Sequence, residues 1–245
     1  MIIIPARLAS TRFKNKILCD IGGLPMFVKT AKNASLCDDV VVACDDENVL
    51  QIALKHGIKA VMTATNHQSG SDRINEACEI LGLKDDEIVV NVQADEPFFE
   101  RENLLNFLEF SKKAFMSGAF MTSCYKLIDF NSANEPNIVK VVLDSNSNAL
   151  YFSRSIIPYV RDEKDRLKHE YFGHIGIYGF CVSSLREFCL LQDHSLENTE
   201  KLEQLRALSA GHKIAMLKIA TNSLGIDTKE DYLKASKLYN FKALI

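Results

Sequence analysis

Near its start the chain packs cations and small hydroxyls into one stretch, "PARLASTRFKNK", Pro5 to Lys16. Arg7, Arg12, Lys14 and Lys16, with Ser10 and Thr11, could wrap a polyphosphate through charge and hydrogen bonds. No glycine lies in the stretch, so it is neither a G-x-G-x-x-G turn nor a P-loop. A solvated basic surface loop is the alternative, and the position directly after an apolar run favours the phosphate reading. A second stretch, "HQSGSDR" (His67 to Arg73), precedes a helical pattern. Ser69, Gly70 and Ser71 offer backbone N–H groups at a helix start, suited to an anion or a nucleobase edge. Plain capping by Ser69 or Ser71 is the commoner use of such residues, and His67 alone reads as a structural hydrogen bonder.

A third stretch, "NVQADEPFFE", places Asp95 and Glu96 straight after the strand formers of Glu87 to Gln93. Strands often end in polar turns, and Pro97 would stop the run. An acid at the carboxyl end of a strand in an open α/β sheet also lies where such folds bind ligands. Asp227, in "LGIDTKEDY", repeats this setting, with helix capping as its competing role. Two such carboxylates could share one Mg²⁺, which prefers oxygen ligands and keeps waters beside substrate phosphates. Further on, Arg154, His174, Tyr178, Glu203 and Gln204 are polar groups in otherwise apolar runs. Each one alone reads as an ordinary satisfied polar residue.

Alternating elements must position these groups. Met1 to Ile4, Asp39 to Cys44, "IKAVM" and Glu87 to Gln93 read as strands. "MFVKTAKNA", "DENVLQIALKHG" and "SDRINEACEILG" read as helices between them. That order predicts a parallel, doubly wound α/β sheet. After about Ser117 the pattern becomes strand-rich: "AFMTSCYKL", "NIVKVVLD", "NALYFS" and "YFGHIGIYGFCV", with a hairpin turn at Asn146 to Asn148. Helices follow at "SSLREFCLL" and as one segment over "LENTEKLEQLRALSAG", then a strand at "KIAMLKI" and a closing helix capped near Thr228. The expected organisation is one unit: a nucleotide-binding core over 1–116, an inserted lobe over about 117–212, and a return to the core over 213–245.

The chain has 245 residues, 47% of them hydrophobic, enough for a sizeable core. A formal net charge of −3 argues against a nucleic-acid partner, which would call for a basic excess. Seven cysteines without a C-x-x-C pair fit a reducing compartment better than a disulfide framework. The opening "MIIIPAR" is too short for a signal h-region, and no apolar run approaches the about 18 residues of a membrane span. A soluble, cytoplasmic protein is expected.

The stretches "IIIPARLASTRFKNK", "HQSGSDR", "VNVQADEP", "PNIVKVV", "ALYFSRSIIP", "HIGIYGF", "LEQLR" and "GIDTKED" occur in this order along nearly the whole chain. In them the sequence resembles the 3-deoxy-manno-octulosonate (Kdo) cytidylyltransferases, the CMP-Kdo synthetases of lipopolysaccharide biosynthesis. The resemblance implies a Rossmann-like nucleotide-diphospho-sugar transferase fold, a strand-rich lobe that binds sugar, and a homodimer. It implies coupling of CTP with Kdo, releasing pyrophosphate, with Mg²⁺ held by Asp95 and Asp227. By the same resemblance Arg7, Ser10, Arg12 and Lys16 fall on the triphosphate loop, Lys16 counting with the two acids as catalytic. Ser69, Gly70, Arg73 and Gln93 fall on the nucleotide side. Arg154, His174, Tyr178, Glu203 and Gln204 fall in the sugar lobe.

Two departures from the family pattern stand out. The usual R-x-P-G-K reads Arg12-Phe13-Lys14-Asn15-Lys16, and the usual Q-G-D-E-P reads Gln93-Ala94-Asp95-Glu96-Pro97. Both lose a glycine and its easy access to positive φ. A cytidylyltransferase for 8-amino-Kdo or for a sialic-acid-like nonulosonate is the neighbouring alternative. A non-catalytic nucleotide-binding protein on the same fold is the alternative of another class.

Overall fold

The computed structural model describes residues 1–9, 13–67 and 69–243. The chain forms two compact units: Met1–Asn106 with Thr221–Ile245, and Phe107–Ala220.

The first unit alternates β1 (Ile2–Ala6), α1 (Met26–Ala34), β2 (Val40–Cys44), α2 (Glu47–Lys55), β3 (Lys59–Met62), α3 (Gly70–Ile80) and β4 (Ile88–Asn91). α4 (Arg101–Met116) then carries the chain across to the second unit. The strands pair in the order β3-β2-β1-β4, all parallel. Every residue of β1 and β2 is buried, as expected of central strands covered on both faces. The helices begin where the sequence supplies acceptors. Asp46 accepts from the N–H groups of Asn48 (2.9 Å) and Val49 (3.3 Å) to cap α2. Ser69 and Asp72 form a capping box at α3. Because the strands are parallel, the segments after β1, β2 and β4 leave from one edge of the sheet, where such folds place their ligands.

The second unit is built on β5 (Met121–Ile128), which pairs antiparallel with β8 (Tyr171–Cys181) and parallel with β9 (Ile214–Lys218). Between β5 and β8 lie α5 (Phe130–Asn134), the hairpin of β6 (Lys140–Leu143) and β7 (Ala149–Ser153), and α6 (Glu163–Arg166). The hairpin turns where expected. Ser147 takes φ 60°, and Asp144 accepts from the backbone N–H groups of Asn146 and Asn148, each at 2.8 Å. Between β8 and β9 come α7 (Val182–Leu190), α8 (Ser195–Glu200) and α9 (Leu205–Ser209). The chain returns to the first unit and ends in α10 (Lys229–Leu238).

One expectation needs correction. The segment read as one helix over Leu196 to Gly211 is two, α8 and α9, broken at Lys201 with φ 53°. Tertiary bonds cause the break: the Glu200 carboxylate accepts from Ser153 Oγ (2.5 Å) and Arg154 N (2.9 Å), while the Arg154 guanidinium takes the carbonyls of Glu200 and Lys201. The two compact units divide inside α4 and after β9. Ser111 on α4 shares a 2.8 Å hydrogen bond with Thr122 of β5, and β9 pairs along β5, so the later part of α4 and β9 belong with the second unit.

Candidate active site

The carboxyl ends of β1 and β4 bring together the loop after β1, the loop after β4 and the segment before α10. Lys16 opens a short 3-10 helix (Lys16–Leu18). Its Nζ donates to Asp95 Oδ2 at 2.5 Å and to Asp227 Oδ1 at 2.7 Å. Lys16 and Asp227, 211 positions apart in sequence, are thus joined, and both acids converge on one cationic nitrogen. Burial pulls the ammonium pKa down, but the attraction and hydrogen bonds of the two acids outweigh it and hold Lys16 above its usual value.

Local packing fixes each partner. Phe13 is buried with Ile21, Met26, Ile226, Tyr232 and Ala235, so α10 forms part of the wall beneath the cationic loop. Tyr232 donates its hydroxyl to the Asp20 carbonyl at 2.7 Å. Beyond Asp95, Phe98 stacks on Tyr239 with ring centres 3.6 Å apart. The missing loop glycine is answered by Asn15, which adopts the left-handed conformation (φ 54°, ψ 31°) that asparagine tolerates better than most residues. Ala94 takes no positive φ; it is buried, and its carbonyl accepts from Thr30 Oγ1 at 2.9 Å. Asp227 is not the cap of α10. Thr228 is, in a capping box with Asp231, which leaves the Asp227 carboxylate to reach Lys16.

Two carboxylates directed at one cation position form an all-oxygen donor pair. Among the described residues no group of three or more His, Cys, Asp or Glu side chains could hold a metal ion. A two-carboxylate set completed by water and phosphate oxygens is the habit of Mg²⁺, not of a tetrahedral zinc site. Asp95 and Asp227 fit that ion.

On the nucleotide side the residues separate by environment. Gly70 opens α3 against β1 and β4: a Cβ there would lie 3.4 Å from Pro5 Cγ, 3.7 Å from Gln93 Nε2 and 3.8 Å from Asn91 Nδ2. The two amides are joined, Gln93 Nε2 donating to Asn91 Oδ1 at 3.2 Å. Asn91 escaped the sequence reading; an amide inside the run "IVVNVQ" was its signal. Ser69 spends its hydroxyl on the α3 cap. Arg7 is exposed at the end of β1, and Ser10 and Arg12 lie outside the described residues. Arg73 is turned inward and only 2% exposed. Its guanidinium donates to Asp45 Oδ2 (2.9 Å), Thr63 Oγ1 (2.5 Å) and the Ala64 carbonyl (3.2 Å). Asp45 in turn accepts from Leu8 N at 3.2 Å, so Arg73 reaches the cationic loop through a carboxylate. His67 bonds Glu76 at 2.5 Å, in keeping with a structural role.

In the second unit three of the five sugar-side residues form one polar group. His174 Nε2 is 2.9 Å from Ser123 Oγ, with its ring 4.9 Å from that of Phe152 and 5.5 Å from that of Tyr178. Burial lowers the His174 pKa to about 3 and raises that of Tyr178, with Glu203 adding to the latter, so both are neutral near pH 7. Tyr178 donates to Gln204 Oε1 at 3.2 Å. Gln204 is 3% exposed, and its Nε2 finds no hydrogen-bond partner among the described residues. Glu203 precedes it in the turn before α9. Arg154 commits Nε to the Glu200 carbonyl (2.7 Å), Nη1 to that of Pro136 (3.1 Å) and Nη2 to that of Lys201 (3.4 Å).

Comparison with known proteins identifies the family of the chain. A family model described as cytidylyltransferase matches residues 1–214. A 3-deoxy-manno-octulosonate cytidylyltransferase of Helicobacter pylori (strain HPAG1) is 55% identical over 241 residues, 98% of each chain. One of Wolinella succinogenes is 50% identical, covering 98% of this chain and 99% of that one. A solved CMP:2-keto-3-deoxy-manno-octonic acid synthetase complexed with CTP superposes with a TM-score of 0.89 at 34% identity, over 98% of this chain and 97% of the other. The general family model ends before Asp227, but the near-full-length relatives extend past it. Joined by Lys16, Asp95 and Asp227 thus sit in a chain that belongs to the cytidylyltransferase family and, within it, to the 3-deoxy-manno-octulosonate cytidylyltransferases.

Proposed function

We propose that this protein transfers CMP from CTP to the anomeric hydroxyl of Kdo, giving CMP-Kdo and pyrophosphate for lipopolysaccharide biosynthesis. The observation that carries the reading is the convergence of Asp95 and Asp227 on Lys16, in a chain 55% identical to an enzyme of that name. The anomeric oxygen attacks the α-phosphorus, the bond to the pyrophosphate oxygen breaks, and the hydroxyl proton is lost. Such transfer depends on positioning and on neutralising charge. Asp95 and Asp227 would hold Mg²⁺, which when bound neutralises phosphate charge and makes the sugar hydroxyl easier to deprotonate. Lys16, kept protonated beside them, supplies a fixed positive charge to the phosphates, with Arg7 and Arg12 on the same loop. Gly70, Gln93 and Asn91 supply a close backbone approach and two amides on the nucleotide side.

For the sugar, Gln204 Nε2 is a buried donor aligned by Tyr178, and neutral His174 acts by hydrogen bonding rather than by charge. With three nitrogens on backbone carbonyls, Arg154 serves that lobe by shaping the turn at Glu200 and Lys201. The resemblance to the family implies that the active form is a homodimer in the cytoplasm. No helix among the described residues is long and apolar enough to cross a membrane. The test is pyrophosphate release from CTP and Mg²⁺ with Kdo, 8-amino-Kdo and N-acetylneuraminate in parallel. Fastest turnover with Kdo is expected. Preference for another sugar would reassign the substrate, and no release with any sugar would leave a nucleotide binder.

A further inference from the structure

We infer that Glu100 is a positioning residue for the acidic pair: it fastens the segment leading to Asp227 onto the segment that begins with Asp95. The inference rests on the reading of Asp95 and Asp227 as the cation-holding carboxylates. Residues 220–227 belong to no helix or strand, so no backbone ladder fixes where Asp227 stands. Residues 95 to 100 do that work from the side, in reverse order. Ile226 N donates to the Asp95 carbonyl at 3.0 Å. Ser223 Oγ donates to Glu96 Oε2 at 3.2 Å. Gly225 passes so close to Glu96 that a Cβ there would stand 2.7 Å from Oε1. At the far end Glu100 accepts from Thr221 Oγ1 at 2.5 Å with one oxygen and from Asn222 N at 3.0 Å with the other. Asn103 Nδ2 steadies that carboxylate at 3.2 Å. Burial pushes the Glu100 carboxyl upward, but these donors prevail and hold it below its usual range, so it stays an acceptor for both.

A carboxylate pair shares a cation only when its separation is held, and groups that orient such ligands typically govern affinity by about ten- to a hundredfold. Glu100→Gln retains the tie, because the amide oxygen can accept from Asn222 N while its NH₂ donates to the Thr221 hydroxyl. Glu100→Ala removes it. The experiment measures Mn²⁺ binding to the purified protein with CTP by electron paramagnetic resonance, together with kcat and the KM for Kdo. Glu100→Ala is expected to weaken Mn²⁺ about tenfold and lower kcat with little change in the Kdo requirement, and Glu100→Gln to remain near wild type. Thr221→Val, which keeps the shape and loses the hydroxyl, is expected to shift Mn²⁺ in the same direction by less; it decides the matter if Glu100→Ala does not fold. Unchanged Mn²⁺ affinity in Glu100→Ala or in Thr221→Val, whatever the melting temperature, overturns the inference alone. If Asp227→Asn binds Mn²⁺ as wild type does, the cation reading of the pair falls, and this inference with it.

Discussion

At the residue scale, the decisive group is a lysine with two acids. Lys16, Asp95 and Asp227 have a net charge of minus one as a set, and the lysine occupies the position where the acids converge. Asp227→Asn replaces a carboxylate by a near-isosteric amide without touching the α10 cap, which belongs to Thr228 and Asp231. A loss of turnover on the order of a hundredfold is expected, with the melting temperature little changed. Steady-state kinetics over a Mg²⁺ series and a thermal melt check both halves, and wild-type turnover would remove Asp227 from the chemistry. His174 gives a residue-scale prediction of a different kind. Its folded pKa is depressed to about 3 from 6.5, so as pH falls the unfolded chain takes up that proton first. Its stabilising contribution is present in full above about pH 6.5 and is lost as pH falls towards 3. In His174→Gln the fall of unfolding free energy across that window becomes shallower; denaturant titrations at several pH values read the slope, and an unchanged slope contradicts the assignment.

At the element scale, α3 is tied to the strand edge by a buried ion pair. Arg73 on α3 and Asp45 after β2 are 2.9 Å apart with side chains 2% and 9% exposed. Arg73→Leu leaves Asp45 buried without that partner and should cost about 3–5 kcal/mol, read by chemical denaturation. Retained stability with lost CTP binding would instead restore Arg73 to direct contact with nucleotide. The same pair shows what the sequence could reveal. Alternating apolar runs announced the strands and helices of the first unit, because each must bury one face or both. The cap at Thr228 and the turn at Asn146 to Asn148 were legible because local side chains make them. α4 carries Leu104, Phe107 and Leu108 into the core, yet the sequence reading assigned no helix there. Its buried face is interrupted by polar residues such as Ser111, whose partner Thr122 lies on another element. The break at Lys201 and the inward turn of Arg73 were illegible for a related reason. Both are set by hydrogen bonds to Ser153, Arg154, Asp45 and Thr63, which no local pattern brings near.

At the scale of the whole molecule, the candidate groups divide between the two units: phosphate and cation residues in the first, the His174–Tyr178–Gln204 group in the second. If that division is functional, changes in each unit should move the requirement for one substrate only. Lys16→Ala should raise the KM for CTP about tenfold or more and leave that for Kdo nearly unchanged. The harder case is Gln204, since a buried amide can serve folding as well as binding. Replacing Gln204 alone would leave the Tyr178 hydroxyl without its acceptor and confuse the two roles. Tyr178→Phe with Gln204→Met removes both partners and keeps their volumes, a change that is often nearly neutral for stability. It also removes the donor that has no partner among the described residues. The double variant should therefore melt close to wild type, bind CTP normally in the absence of sugar, and need at least about tenfold more Kdo, because a site built to hydrogen-bond its substrate discriminates strongly. Calorimetric CTP binding, a thermal melt and a Kdo saturation curve on one preparation separate the outcomes. A lowered melting temperature with an unchanged Kdo curve would make the pair a structural bond. A lost CTP response would assign the pair to nucleotide binding instead of sugar binding.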